Sequence, residues 1–202
     1  MLFVEYYRHL PWKESDNNFC INSIQFKALF RVDINHTYNT SSNELLKSTI
    51  PIYVDGIRGC TTQAFPGATI GRITELLSRG KINISNIDIV IIHVGTNNIS
   101  SAQNVDTIIS YYGDLIHKLK YKTNDHIVCT SILPRLCDHD KTVNKINKVN
   151  LELKKLCIRK KIQYTNLYRS FLLNNRPDSS LYAPRDGLHL NFAGTSLLRK
   201  KF

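Results

Sequence analysis

The regular alternation of short apolar strands and amphipathic helices after about residue 85 constrains the fold of this 202-residue chain more than any other feature. Residues 87–94, IDIVIIHV, form a short run rich in β-branched side chains, which is typical of a strand buried on both faces. Apolar residues at helical spacing then predict a helix over about 104–120. The alternation continues with a strand at 126–133, a long basic helix around 143–156, a strand at 162–167 and a last helix with Asn191 near its cap.

Strands that alternate with helices of this length require right-handed crossovers and therefore a sheet of mainly parallel strands. We predict an α/β fold, a three-layer α/β/α sandwich with a mostly parallel sheet. Active sites of such sheets lie beyond the carboxyl ends of the strands. This rule draws attention to two loops, GTNNIS after the first buried strand and LPRLCDHD after the second.

The first third of the chain has a weaker pattern. Residues 27–34 and 48–57 are possible strands, and residues 65–80 indicate a turn that leads into a helix. Residues 1–26 have no assignable pattern. The expected organisation is thus an unassigned segment, 1–26, followed by a single domain over 27–202.

Composition is that of an ordinary globular protein and excludes several classes. The chain is 42% hydrophobic and 21% charged, which argues against disordered and fibrous proteins. Its longest apolar run is too short to span a bilayer, and its N-terminus lacks the features of a signal peptide. Five scattered cysteines without a CxxC pair indicate neither a zinc site nor a disulfide framework. We therefore expect reduced thiols and an intracellular location, cytoplasmic or nuclear, rather than secretion.

The formal net charge of +11 favours anionic partners such as nucleic acid, an acidic membrane face or an acidic polysaccharide. A solvated helix face explains each basic cluster equally well when it is taken by itself. The clusters are Lys118, Lys120 and Lys122; Lys154, Lys155, Arg159, Lys160 and Lys161; and Arg199, Lys200 and Lys201.

The segment DGLHLNFAG near the C-terminus places an acid and a histidine, Asp186 and His189, three residues apart. One turn of chain can present both side chains on the same side, so that the carboxylate orients the imidazole as a base for acyl transfer. Spacing of this kind also arises by accident, so the hypothesis needs an oxyanion site and a nucleophile elsewhere in the chain.

Two segments could supply neutral donors to an oxyanion. VGTNN follows a buried strand directly, which would place the side-chain amide of Asn97 at the carboxyl edge of the sheet. In FPGATI, the backbone N–H of Gly67 can approach a bound oxygen closely because glycine has no side chain. Ordinary turns rich in Gly, Pro and Asn are the alternative interpretation of both segments.

FPGAT, IIHVGTNN and DGLHLNFAG together resemble the second, third and fifth sequence blocks of the SGNH hydrolases, also called GDSL-type esterases and lipases. The resemblance covers roughly residues 50–202 and implies a flavodoxin-like SGNH fold without a cofactor or a metal. It implies that Asp186 and His189 are the acid and base of a triad, and that Gly67 and Asn97 are oxyanion donors. Gly95 matches the turn glycine of the third block, and Asn98 stands where the family usually has Asp. The VGTNN variant is also similar to esterase-like domains associated with retrotransposons.

The first block, which carries the Gly-Asp-Ser nucleophile in this family, has no intact counterpart. The nearest candidate is NTSSNELLKS, residues 39–48, in which Ser42 aligns with the nucleophile and Ser41 is the neighbouring choice. A serine that merely caps a helix is the alternative interpretation of Ser42.

The resemblance implies a serine esterase in which Ser42, His189 and Asp186 cleave an acyl ester, with an acetyl or other short acyl group on a sugar or lipid. The alternative is a catalytically inactive SGNH-fold binding module whose basic surface engages nucleic acid or another acidic partner. A phosphate-directed enzyme is a weaker third hypothesis, because the sequence lacks a set of acidic metal ligands.

Overall fold

The computed structural model describes residues 3–7, 60–84, 89–122 and 126–201. The strands predicted at 27–34 and 48–57 and the two candidate serines, Ser41 and Ser42, lie outside these residues. The boundary expected at residue 27 also lies outside them.

A five-stranded sheet with the order β2-β1-β3-β4-β5 forms the centre of the described structure. Its strands are β1 (Phe3–Tyr7), β2 (Cys60–Ala64), β3 (Ile89–His93), β4 (His126–Thr130) and β5 (Gln163–Thr165). β3, β4 and β5 pair in parallel, whereas β1 is antiparallel to both of its neighbours. Because β2 opposes β1, β2 has the same direction as β3, and the sheet is mostly parallel as predicted.

Helices cover the sheet and complete a three-layer α/β/α sandwich, which confirms the predicted fold class. They are α1 (Ile70–Ser78), α2 (Thr96–Ser100), α3 (Val105–Lys122), α4 (His139–Arg159) and α5 (Phe192–Arg199). A two-stranded hairpin, β6 (Leu172–Leu173) and β7 (Arg176–Pro177), precedes the last helix. Within the described ranges, no helix has the length and apolar character needed to cross a membrane.

Local sequence explains where several helices begin. The hydroxyl of Thr69 accepts a hydrogen bond from the N–H of Arg72 at the start of α1, and the side chain of Asn191 accepts one from Gly194 at the start of α5. Each cap satisfies an N–H that has no partner within the helix. The cap predicted at Asn191 is confirmed.

Two apolar clusters hold the layers together. The larger one joins the sheet to α1, α3 and α4 and includes the fully buried residues Ile70, Ile108, Ile116 and Ile146. The smaller one lies beneath the C-terminal segments and consists of Leu167, Phe171, Leu181, Tyr182, Leu190 and Leu198. The loop that contains Asp186 and His189 therefore packs against this smaller cluster.

The structure differs from the predicted elements at three points. The GTNN loop contains the short helix α2, and the strand predicted at 126–133 ends at Thr130. β1 lies in the N-terminal segment to which the sequence assigned nothing. β1 is a strand because it pairs with β2 and β3, and such contacts between distant segments leave no periodicity in the sequence.

Candidate active site

Asp186 and His189 form a hydrogen-bonded acid–imidazole pair, with 2.7 Å between Asp186 Oδ2 and His189 Nδ1. The other carboxylate oxygen, Oδ1, accepts the N–H groups of Leu188 and His189, each at 2.9 Å. Partial burial by itself would raise the pKa of Asp186, but these hydrogen bonds outweigh it and lower that pKa to about 2. The carboxylate is therefore ionised at neutral pH and holds the ring with Nδ1 as a donor.

The imidazole of His189 lines a cavity of about 50 Å³ beyond the carboxyl ends of β3 and β4. Its Nδ1 atom bonds to the Asp186 carboxylate, and its Nε2 atom makes no hydrogen bond to any described residue. In a neutral ring bonded in this way, Nε2 carries the lone pair that a general base uses. The full lining is His93, Val94, Thr96, Ile132, Leu133, Pro134, Leu188, His189 and Leu190.

The two candidate oxyanion donors lie in segments that meet, Gly67 in the turn before α1 and Asn97 in the first turn of α2. Gly67 is exposed and has a φ of 71°, a left-handed conformation that favours glycine. Its N–H makes no hydrogen bond within the described part of the chain. The side-chain amide of Asn97 donates one N–H to the carbonyl of Ala68 at 3.0 Å, which leaves its second N–H available. Asn97 directly follows Thr96, which lines the same cavity as His189.

Asn98, the departure from the family's usual Asp, is fully buried and uses both ends of its amide. Its oxygen accepts the N–H of Ile70 at 3.0 Å, and its nitrogen donates to the side-chain oxygen of Gln103 at 2.8 Å. A neutral amide therefore meets both needs without the cost of a buried charge.

Gly95 begins the turn between β3 and α2 with a φ of 116°. A Cβ at this position would lie 2.5 Å from the hydroxyl of Tyr112 and 2.9 Å from Ile132 Cδ1. The hydroxyl of Tyr112 in turn donates to the carbonyl of Val94. Glycine thus lets the chain turn tightly at the edge where Thr96 and Asn97 lie.

His93 is a cavity residue that sequence reasoning did not identify. Burial lowers its pKa to about 4, so the ring is neutral at physiological pH. Its Nδ1 lies 2.6 Å from the hydroxyl of Thr130, which itself donates to the carbonyl of Ile92. The sequence signal was a single polar residue at the end of the apolar run IVIIHV.

No group of three or more His, Cys, Asp and Glu side chains that could hold a metal ion occurs in the described ranges. The last residues of the LPRLCDHD loop, 137–140, lie at the start of α4, where Asp138 pairs with Arg135.

The sequence profile of the GDSL-like Lipase/Acylhydrolase family matches residues 33–197. The match covers more than half of the chain, and the protein therefore belongs to this family of ester hydrolases. No curated protein sequence matches the chain.

Solved structures similar to the chain have the same fold. A GDSL-like lipase from Bacteroides thetaiotaomicron VPI-5482 superposes with a TM-score of 0.56 at 22% identity, over 66% of this chain and 68% of that one. The acetyl xylan esterase AlAXEase gives 0.56 at 22% identity, over 69% and 76% of the two chains. The OSK domain of Drosophila Oskar gives 0.56 at 14% identity, over 67% and 68%. At these identities the likeness shows the fold alone.

Proposed function

We propose that the protein is a serine esterase that removes a short acyl group through a triad of Ser42, His189 and Asp186. The observation that carries the proposal is the hydrogen-bonded pair of Asp186 and His189, whose imidazole lines a cavity shared with Thr96. Membership of the ester-hydrolysing family supports it.

In the proposed reaction, Nε2 of His189 accepts the hydroxyl proton of Ser42 while the serine oxygen attacks the ester carbonyl. The N–H groups of Gly67 and Ser42 and the free amide N–H of Asn97 stabilise the negative oxygen of the tetrahedral intermediate. His189 then gives its proton to the departing alcohol, and a water molecule repeats the sequence to release the acid. Asp186 remains ionised and stabilises the protonated ring.

The size of the cavity favours a small acyl group. A cavity of about 50 Å³ has room for only a few water molecules, each of which needs about 10–15 Å³ of such space. An acetyl group fits a space of this order, whereas an octanoyl chain does not. We expect turnover of p-nitrophenyl acetate to exceed that of the octanoate.

The test compares hydrolysis of p-nitrophenyl acetate by the wild type with that of single variants at the candidate serines. Activity lost in Ser42→Ala but kept in Ser41→Ala supports the proposal, and the reverse result moves the nucleophile to Ser41. Ser110→Ala, at an exposed serine of α3, is the matched control. Full activity in both Ser41→Ala and Ser42→Ala, or no activity in the wild type with any ester, contradicts the proposal.

A second proposal concerns a nucleic-acid partner, and it rests on the place where two of the predicted basic clusters meet. α3 and α4 end side by side, and the ammonium group of Lys120 donates to the carbonyl of Lys160. We name the exposed cations of their last turns the basic end. Its members are Lys118, Lys120, Lys122, Lys154, Lys155, Arg159, Lys160 and Lys161.

The basic end also exposes apolar surface. Tyr121 is 88% exposed and Ile158 is 66% exposed, so an aromatic ring and an aliphatic side chain lie among the lysines. Single-stranded nucleic acid is bound by surfaces that combine cations for the phosphates with rings on which bases stack. We therefore propose that this end binds a single-stranded oligonucleotide, with Lys122, Lys161 and Tyr121 among the contacts.

Fluorescence anisotropy with a labelled oligonucleotide tests this proposal. The test compares two double variants that change the net charge of the protein by the same amount. Lys122→Glu/Lys161→Glu should weaken binding much more than Lys200→Glu/Lys201→Glu, which makes the same charge change near α5. Binding should also weaken as salt increases, because cations on the protein displace counterions from the phosphates. Equal losses in the two variants, or binding to anionic vesicles but not to the oligonucleotide, would refute it.

A further inference from the structure

The loop after β4, residues 133–138, contacts both parts of the candidate active site. On one side, the N–H groups of Leu136 and Cys137 donate to the carbonyl of Gly187, at 3.0 and 3.1 Å. Gly187 lies between Asp186 and His189 in the chain. On the other side, the side chain of Arg135 reaches the first residue of α2, Thr96. A segment of three residues thus joins the loop of the base to the helix of the oxyanion donor.

Arg135 is buried, with 5% of its surface exposed, and each of its five N–H groups has an acceptor. Nε and Nη2 bind the two carboxylate oxygens of Asp138 at 2.7 and 2.8 Å. Nη1 donates to the carbonyl and the hydroxyl of Thr96 at 2.9 and 3.2 Å. The second N–H of Nη2 is directed at the sulfur of Cys137 at 3.9 Å. The hydrogen bonds of this guanidinium therefore connect Thr96, Cys137 and Asp138 to one another.

The charge of Arg135 is retained despite its burial. Burial alone would lower the pKa of this guanidinium, but hydrogen bonding to Asp138 and its negative charge raise it. The same hydrogen bond lowers the pKa of Asp138. Asp138 is in turn held at the start of α4, where the hydroxyl of Thr142 donates to its carbonyl at 2.9 Å and lies 3.2 Å from its carboxylate. The ion pair thus ties Thr96 to a long, well-packed helix.

This ion pair is only half-buried, because Arg135 is buried but the side chain of Asp138 is 27% exposed. Burying the guanidinium costs several kcal/mol, and an apolar side chain of similar volume often stabilises a fold as well or better. The benefit of the Arg135–Asp138 pair is instead directional, because a planar guanidinium fixes the positions of its acceptors. The acceptor that it fixes here is the residue immediately before Asn97.

We infer that Arg135 is a positioning residue for ester hydrolysis, which holds the Thr96–Asn97 turn at a set distance from the Asp186–His189 loop. The inference rests on the proposed esterase function. Arg135 lies behind Thr96 and contacts no reacting atom. It acts by fixing where the amide of Asn97 meets the oxyanion, and small misplacements of such donors cost large factors in rate.

Arg135→Lys is the variant of choice, because it keeps the charge but loses the planar fork and the contact with Thr96. We expect kcat for p-nitrophenyl acetate to fall by about 10- to 100-fold with KM within about threefold. The control is Arg72→Lys, because Arg72 and Glu75 form an ion pair at the same spacing on the exposed face of α1. This control should leave kcat unchanged.

Combination with Asn97→Ala separates positioning from a general loss of structure. If Arg135 acts through the amide of Asn97, Arg135→Lys should cost less than about threefold in an Asn97→Ala background. Full additivity of the losses in kcat from Arg135→Lys and Asn97→Ala would overturn the inference. An equal fall in kcat in Arg135→Lys and Arg72→Lys would also overturn it.

Hydrogen exchange supplies a readout that does not depend on turnover. The N–H groups of Asn98 and Ile99 bind the carbonyl of Gly95 in the first turn of α2, at 3.0 and 3.1 Å. Their exchange should quicken by about tenfold in Arg135→Lys and stay unchanged in Arg72→Lys. If the wild type cleaves no ester, the proposed function fails. Unchanged exchange of these amides in Arg135→Lys would be a separate result, and it would show that Arg135 does not position α2.

Discussion

Replacement of Asp186 by Asn tests the acid–imidazole pair without changing the size of the side chain. Oδ1 of Asp186 accepts two backbone N–H groups, and Oδ2 accepts the ring N–H of His189. Asparagine has one oxygen and one NH₂ group, and the two backbone donors require the oxygen. Its NH₂ group must then face Nδ1 of His189, which forces the ring into the tautomer that carries its proton on Nε2.

A ring protonated on Nε2 cannot take the serine proton. We therefore expect kcat of Asp186→Asn to fall by about 10³- to 10⁴-fold at neutral pH, with KM nearly unchanged and the fold intact. At 1.36 kcal/mol for each factor of ten, this loss is about 4–5.5 kcal/mol of transition-state stabilisation.

Steady-state hydrolysis of p-nitrophenyl acetate measures the loss, and circular dichroism checks the fold. Asp178→Asn is the matched control, because Asp178 also accepts a backbone N–H and a side-chain donor, both from Ser180, but has no histidine partner. A loss of less than tenfold in Asp186→Asn, or an equal loss in Asp178→Asn, would refute the reasoning from the tautomer.

Two further predictions concern stability. Because His93 has a folded pKa of about 4 and an ordinary unfolded pKa near 6.5, the unfolded chain binds more protons between these values. The free energy of unfolding should therefore fall as pH drops from about 6.5 towards 4. Urea titrations should show that this free energy falls less steeply with pH in His93→Gln than in the wild type. An equally steep fall would contradict the low folded pKa of His93. Gly95→Ala should lower the free energy of unfolding by at least about 2 kcal/mol, because a Cβ meets the hydroxyl of Tyr112 and the φ is positive. Gly71→Ala in α1, where a Cβ meets nothing within 4 Å, should be neutral or stabilising, and thermal melts that rank the two variants the other way would show the packing argument to be wrong.

Much of the fold was predictable because apolar periodicity is dense in the second half of the chain. The runs that became β3, α3 and β4 each combine length, burial and clear end signals. β1 was not predictable, since its place in the sheet depends on pairing with β2 and β3 rather than on a local pattern.

The candidate site was also predictable only in part. Asp186 and His189 were recognisable because the segment DGLHLNFAG resembles a block of the family, and their spacing of three residues lets them hydrogen-bond within one turn. Arg135 was not, because its partner Thr96 lies 39 residues away and a single arginine in a loop has no periodicity. The role of Ser42 stays a prediction.

The most direct test of the account is to map the covalent adduct of a fluorophosphonate by mass spectrometry. Such a reagent marks a serine only where a base has activated it and donors stabilise the charged oxygen. We predict one adduct in the peptide that contains residues 39–48, at Ser42, and its loss in His189→Gln but not in His117→Gln, at an exposed histidine of α3. An unlabelled protein, or labelling that persists in His189→Gln, would contradict the proposed triad.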